Sequence, residues 1–501
     1  MSMLMQGFQL IAGDPMCLVW VIIGVVVGII FGAIPGLSAT MAIAIFLPIT
    51  YGLSQVSGMA TMCALFVGGI SGGLISAILL NMPGTPSSVA TCFDGRPLAM
   101  QGKADKALGA GIVYSFFGTL LSIAALVTIA PMLASVAIKF GPHEYFAITF
   151  FSLSLIITLS SHSLRKGLMS GMVGVMLSMV GLDPIEGSAR FTLGVSAIRS
   201  GFNILTVLVG LYAIAEVLNT CENVNDTASA QVQDVKMKGF GITFAEFKQQ
   251  IPNGLRSALI GLGIGILPGI GGGTSNIIAY TVAKNQSKDP DSFGKGNLAG
   301  VVASESANNA TIGGAMIPLL TLGIPGDTTT AMMLGGLMIH GVTPGPLIFD
   351  NHGDLMYAIF IFLVVSSFVM LLLEFVGLKA FIKVLKVPKY YLLPLIIVLC
   401  GVGAFGLNNR VFDMGAILLF GLIGYGLSKF GYPLPPLVLG FILGSVLEVN
   451  LRRGLTSSQG NFAEFFTRPI SGFIIVFTLI FIVYSVLKVM RNNKKATSKT
   501  A

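Results

Sequence analysis

The sequence predicts an all-α polytopic membrane protein of about ten to twelve transmembrane segments, built as two inverted repeats whose helices are discontinuous at Pro-Gly pairs. Three observations lead there. Of 501 residues, 54% are hydrophobic and only 10% charged, with a mean hydropathy of +0.87; soluble domains carry about 25% charged residues. Related Pro-Gly motifs recur at a nearly constant offset in the two halves. The loops that follow corresponding motifs swap basic charge between the halves, as an inverted pair requires.

In chain order, the first apolar run, Met16 to Ile30, lacks a basic leader and a small-x-small cleavage site, so it reads as a retained helix. "GAIPGLSAT" (Gly32 to Thr40) is the first break and "GGLISAILLNMPGTPSS" (Gly72 to Ser88) the second. Residues 1–218 form the first repeat. "HSLRKG" (His162 to Gly167) and "DPIEGSARF" (Asp183 to Phe191) read as solvated loops within it, as does "LNNR" (Leu407 to Arg410) later. Asn219 to Gln250 is the longest polar stretch and reads as a cytoplasmic linker, 219–250. Within it Phe244, Phe247 and Ile251 have helical spacing, which predicts a short interfacial helix leading into the second half.

The second repeat is 251–487. "GILPGIGGGTS" (Gly265 to Ser275) matches the first break, with Pro35 to Pro268 a separation of 233; "GGAMIPLLTLGIPGDTTT" (Gly313 to Thr330) matches the second, with Pro83 to Pro325 a separation of 242. The difference fits the insertion "KNQSKDPDSFGKGN" (Lys284 to Asn297) standing where the first copy has "YGLSQVSG" (Tyr51 to Gly58). The latter has no Lys or Arg and the former has Lys284, Lys288 and Lys295; after the second break Arg96, Lys103 and Lys106 face a second-copy loop, Gly336 to Asp354, with none. The basic tail 488–501 then places the C-terminus in the cytoplasm.

Proline removes an amide proton and glycine tolerates conformations closed to other residues, so a Pro-Gly pair opens a helix and exposes its backbone. Inside a bilayer such backbone persists only where it is enclosed by protein or lines a wet cavity, which is where secondary transporters hold substrate and ions. Each break is followed by small N-capping residues. Ser38, Asn81, Thr85, Ser87, Ser88, Thr274, Ser275, Asn276, Thr328 and Thr329 are therefore candidate substrate ligands, through a new helix start whose amides and dipole suit a carboxylate. The unwound carbonyls of Gly36, Gly84, Gly269 and Gly326 suit a cation that offsets the anion's charge. The bland alternative is a tight turn between ordinary helices; four related motifs weigh against it. "ASESANNATIGG" (Ala303 to Gly314) places Glu305, Asn308 and Asn309 on one helical face as further cation ligands, with Glu305 alternatively interfacial near Lys295. Asp327 either ligates a cation or caps a helix.

Other classes find little support. The five cysteines, Cys17, Cys63, Cys92, Cys221 and Cys400, show neither a disulfide framework nor metal-ligand spacing, so no metal site is expected. Four histidines and no GxSxG or HExxH pattern give no catalytic constellation, hence no enzyme. The net charge of +8 sits in short loops and the tail, which membrane orientation explains without nucleic acid. No cofactor is expected beyond a coupling cation, Na⁺ or H⁺.

The segments "GAIPGLSATMAIAIFLPITYGL", "NMPGTPSSVATCFDGRPLAMQGKADKALG", "GILPGIGGGTSN" and "FGKGNLAGVVASESANNATIGGAMIPLLTLGIPGDTTTAMMLGGLMIHGVTPGPLIF" together resemble the large membrane subunit of tripartite tricarboxylate transporters, the TctA type. The resemblance covers nearly the whole chain. It implies a multi-pass bacterial inner-membrane permease working with a small membrane subunit (TctB type) and a periplasmic solute-binding protein (TctC type), importing an organic di- or tricarboxylate on a Na⁺ or H⁺ gradient. It also implies that the loops at Pro35, Pro83, Pro268 and Pro325 line the central site. "ISGGLIS" (Ile70 to Ser76) and Arg96 depart from the family's aromatic-Gly-Gly-Ser pattern and its tyrosine after Asp-Gly, so citrate is not assumed. A stand-alone ion-coupled carrier and a channel are the alternatives.

Overall fold

A computed structural model describes residues 3–159, 164–222, 239–385, 387 and 389–500. Helix follows helix: α1 (Met3–Gly13), α2 (Met16–Ala33), α3 (Ala39–Tyr51), α4 (Gln55–Leu80), α5 (Val89–Met100), α6 (Ala104–Ala137), α7 (Pro142–Leu159) and α8 (Leu164–Ser178). After a β-hairpin with two residues in each strand, α9 (Ile204–Val209) runs through a π-helical segment (Gly210–Ile214) into α10 (Ala215–Glu222). The rest of the chain forms α11 (Phe244–Ile266), α12 (Gly271–Asn285), α13 (Leu298–Leu322), α14 (Thr328–Ile339), α15 (Ile348–Val376), α16 (Leu378–Val384), α17 (Lys389–Asn408), α18 (Val411–Lys429), α19 (Leu434–Ser457), α20 (Glu464–Thr467) and α21 (Pro469–Thr500). Among the described residues, eight helices are long and apolar enough to cross a membrane, and three shorter apolar helices, Ala39–Tyr51, Thr328–Ile339 and Tyr391–Gly406, accompany them. The chain is a polytopic all-α membrane protein.

Two helices, α4 and α13, are enclosed on every side, from Ser57 to Leu79 and from Gly300 to Thr321. Without a hydrophobic drive between helices in lipid, close packing of small residues has to hold such a centre. Gly24, Gly28 and Gly32 run one per turn along α2; Gly24 meets Thr61 and Ala64 of α4, and Gly28 and Gly32 meet Gly68, Gly69 and Gly72, where a Cβ on Gly28 would stand 2.7 Å from the Leu65 carbonyl oxygen. In the second half Gly261 and Gly265 of α11 meet Ala307 and Thr311 of α13 in the same manner. The halves interlock: α6 lies on α13 and α15 on α4, while α8 packs with α19 and the π segment with α18.

A carboxylate clasps the halves together. Asp94 of α5 is fully buried. Its Oδ1 accepts from the backbone N–H groups of Gly294, Gly296 and Asn297 at 2.8–2.9 Å, and its Oδ2 from the Tyr280 hydroxyl at 2.9 Å. Asp94→Ala orphans these donors, each costing about 1–3 kcal/mol when buried. The expected result is a midpoint of thermal unfolding in detergent lowered by several degrees; an unchanged midpoint would show that the clasp contributes nothing.

One sequence expectation changes here and another gains detail. The short interfacial helix is the first two turns of the longer α11, started by a Thr243–Glu246 capping box and carried through Pro252. "DPIEGSARF" is an exposed loop from Pro184 to Ser188, as expected, and it closes a hairpin that pairs Gly181 with Arg190 and Leu182 with Ala189. Asp183 is buried there, bonded to Arg452 at 2.6 Å. The backbone amides of Glu186 and Ile185, then Arg452, hold its carboxyl well below the usual carboxylate range. Residues 223–238 of the linker, and His162 and Ser163 of "HSLRKG", lie outside the described residues.

Candidate functional site

Each Pro-Gly pair stands between a helix that ends and one that begins. After α2, Gly36 takes φ +90° and Ser38 caps α3, its Oγ accepting from Met41 N at 3.2 Å. After α4, Asn81 takes the left-handed φ of 57°, and Thr85 opens a turn, Pro86–Ser88, that leads into α5. After α11, Gly269 takes φ +78° and α12 starts at Gly271 with no side-chain cap. After α13, Asp327 caps α14, its Oδ1 accepting from Thr330 N at 2.7 Å.

The four motifs converge. The Thr40 hydroxyl of the first lies 3.1 Å from that of Thr328 and 2.9 Å from that of Thr329 in the fourth. The Asn276 side chain of the third donates to the Ser87 carbonyl of the second. Gly269 N donates to the Gly326 carbonyl at 2.6 Å, joining third and fourth. Gly84 of the second packs on the Gly32 carbonyl beside the first.

Together they form one wall of a cavity of about 930 Å³, a volume suited to a small molecule. On this wall lie Gly36, Ser38, Thr40, Gly84, Thr85, Ser87, Gly269, Gly271, Gly272, Gly273, Asp327, Thr328 and Thr329. Other helices supply the rest of the lining: Lys166, Tyr212, Glu216, Ser428 and the segment Gly431 to Pro435. The first amides of a helix have no intrahelical acceptor. Those of α3 and α14 are met by Ser38 and Asp327 side chains, whereas α12 begins with three glycines on the cavity and nothing capping them. That helix start presents uncovered donors at a positive dipole end. Lys166 is the one Lys, Arg or His on the cavity wall among the described residues.

The remaining candidates lie elsewhere. Ser88 and Ser275 are buried behind the wall, donating to the carbonyls of Thr85 at 2.9 Å and Gly272 at 3.0 Å. Asn276 and Gly326 join motifs from behind. Asn81 and Thr274 are exposed and off the cavity. Glu305, Asn308 and Asn309 are fully enclosed in α13, which removes the interfacial reading of Glu305. Glu305 accepts from the Thr91 hydroxyl, from Ser115 at 3.2 Å and from Asn309 at 3.3 Å. Asn308 reaches the Ile70 carbonyl at 3.4 Å, and its own oxygen lies under Gly272 with no partner. Asp327 is a helix cap and a cavity residue at once.

Sequence reasoning missed the lining that comes from helices outside the motifs. Tyr212 sits in the π segment, a departure from helical geometry common at functional sites but without a sequence signature. It also missed Glu374, fully buried in α15 and accepting from Ser71 at 3.0 Å. A lone acid in the apolar run "SSFVMLLLEFVG" is the signal that marks it. Among the described residues, no three His, Cys, Asp or Glu side chains are grouped to hold a metal ion.

The family model described as "Tripartite tricarboxylate transporter TctA family" matches residues 18–439. An "Uncharacterized 52.8 kDa protein in TAR-I ttuC' 3'region" of Agrobacterium vitis is 34% identical over 493 residues, 98% of this chain and 97% of its own. A second Agrobacterium vitis protein, "Uncharacterized protein in TAR-II ttuC' 3'region", is 35% identical over 231 residues, 46% of this chain and 96% of its own. No solved structure matches.

Proposed function

Since the chain belongs to the tripartite tricarboxylate transporter TctA family, we propose that it is the large permease subunit of a binding-protein-dependent secondary transporter importing organic di- or tricarboxylates. One observation carries this reading: four helix starts converge on a single cavity whose motif wall has no basic side chain. An uncapped helix start is worth roughly half a positive charge, and α12 has no side-chain cap. A carboxylate is then held by amides and hydroxyls, chiefly at Gly271–Gly273 with Ser38, Thr85, Ser87, Thr328 and Thr329 around it. Asp327, with the carbonyls of Gly36, Gly84 and Gly269, supplies oxygen ligands for a coupling Na⁺ or an acceptor for H⁺. Glu305, Asn308 and Asn309 stand behind the same wall as further candidates for the ion.

An inverted two-fold arrangement accords with the swapped loop charges and with the packing. The α2–α4 contact has its counterpart in α11–α13, and α6 on α13 has its counterpart in α15 on α4. The basic tail favours a cytoplasmic C-terminus in a bacterial inner membrane. A small membrane subunit and a periplasmic binding protein complete the assembly.

The test is uptake of radiolabelled succinate and citrate into proteoliposomes holding this chain alone or with its two partner subunits. Uptake is expected only with all three components and an inward Na⁺ or proton gradient. Uptake by the chain alone would replace this reading with a stand-alone carrier, and unsaturable flux without a gradient would replace it with a channel.

A further inference from the structure

The two parts of the cavity lining differ in chemistry. The motif residues offer amides, hydroxyls and the Asp327 carboxylate and no cation; the other helices offer the Lys166 ammonium group and the Glu216 carboxylate. Lys166 stands in the first turn of α8, where a helix dipole disfavours a cation, so helix stability gives no reason for it there. Its Nζ donates to the Phe430 carbonyl at 2.6 Å and lies 5.4 Å from the centre of the Tyr432 ring. A carbonyl and an aromatic face fix the direction of an ammonium without neutralising it. An ammonium has three donors, and none of the ion pairs among the described residues includes this one. Half-buried and facing the same space as the uncapped glycines of α12, it is a held ammonium group that shares the cavity with a second anion site.

We propose that Lys166 is a specificity-determining residue, whose ammonium group pairs with the second carboxylate of a ligand whose first carboxylate rests on the amides of Gly271–Gly273. The inference rests on the reading of the cavity as a carboxylate site. It adds that the ligand bridges two parts of the lining contributed by different helices, so that the chain selects anions with two separated carboxylates over those with one. Glu216 and Asp327 also face the cavity and limit how much negative charge it takes; among the described lining residues Lys166 is the one cation.

The experiment measures binding of succinate, citrate and propionate to the full chain in lipid nanodiscs, unaltered and as Lys166→Gln, Lys166→Arg and Gly273→Val. Lys166→Gln is expected to weaken succinate and citrate about tenfold or more while moving propionate less than about twofold, because only the longer anions reach the ammonium. Lys166→Arg, which keeps the charge, is expected to restore most of the loss. Equal weakening of all three anions by Lys166→Gln, or no weakening of any, overturns the inference even where Gly273→Val abolishes binding. If the unaltered chain binds none of the three, or Gly273→Val changes nothing, the carboxylate reading of the cavity falls and this inference falls with it.

Discussion

Gly273→Val lowers carboxylate uptake by the assembled transporter at least about tenfold while the chain stays folded. The reason is the space around this glycine. A Cβ at Gly273 meets only the Pro86 carbonyl, its oxygen at 3.4 Å and its carbon at 3.7 Å, both ordinary contacts. Valine therefore fits, with no helix-propensity cost because glycine is the weaker helix former, and its methyl groups stand in the cavity over the amides that start α12. The neighbouring Gly272 is a poorer probe, because a Cβ there would lie 2.8 Å from both the Asn308 side-chain oxygen and Ser87 Cβ and would displace packing as well as ligand. Uptake assays alongside size-exclusion profiles separate the two effects. Normal uptake by a folded Gly273→Val chain would remove the α12 start from the site.

Gly72→Val acts on the fold itself. A Cβ at Gly72 would stand 2.5 Å from the Ile29 carbonyl oxygen and 2.8 Å from Ile29 Cα. Both atoms are backbone of α2 and cannot rotate away, so the two helices must part. Overpacking of this kind costs about 1–3 kcal/mol or more, and parting α2 from α4 loosens a helix whose every neighbour is protein. Cys63, fully buried on α4, reports it in chains whose exposed Cys221 is replaced by serine: maleimide labelling in membranes is expected to be slow with Gly72 in place and fast in Gly72→Val. Gly263 of α11 has nothing within 4 Å of its would-be Cβ, so Gly263→Val serves as the comparison and is expected to leave labelling unchanged. Equal labelling of all three would mean that the glycine seam does not hold α4 in place.

Much of this seam is present in the chain as one glycine per helical turn, Gly24, Gly28 and Gly32, spacing that the hydropathy reading passed over. The helix ends were more legible, since α2, α4, α11 and α13 stop just before Pro35, Pro83, Pro268 and Pro325. Proline and glycine act on the backbone locally and leave the same mark in any surroundings. The polar face of α13 was legible for a similar reason: Glu305 and Asn309, four residues apart, meet in the structure as helical spacing requires.

The sequence by itself determined an all-α chain in a membrane, the places where its helices stop, and the small polar residues that follow each stop. These depend on composition and on interactions a few residues long. Only the tertiary structure decided that the first motif meets the fourth and the second meets the third, that Asn81 and Thr274 face away from the cavity, and that Lys166, Tyr212 and Glu216 complete its lining. Those partners lie up to 289 positions apart. Which of them touch is set by helix packing across the interlocked halves, and no local pattern of residues encodes it.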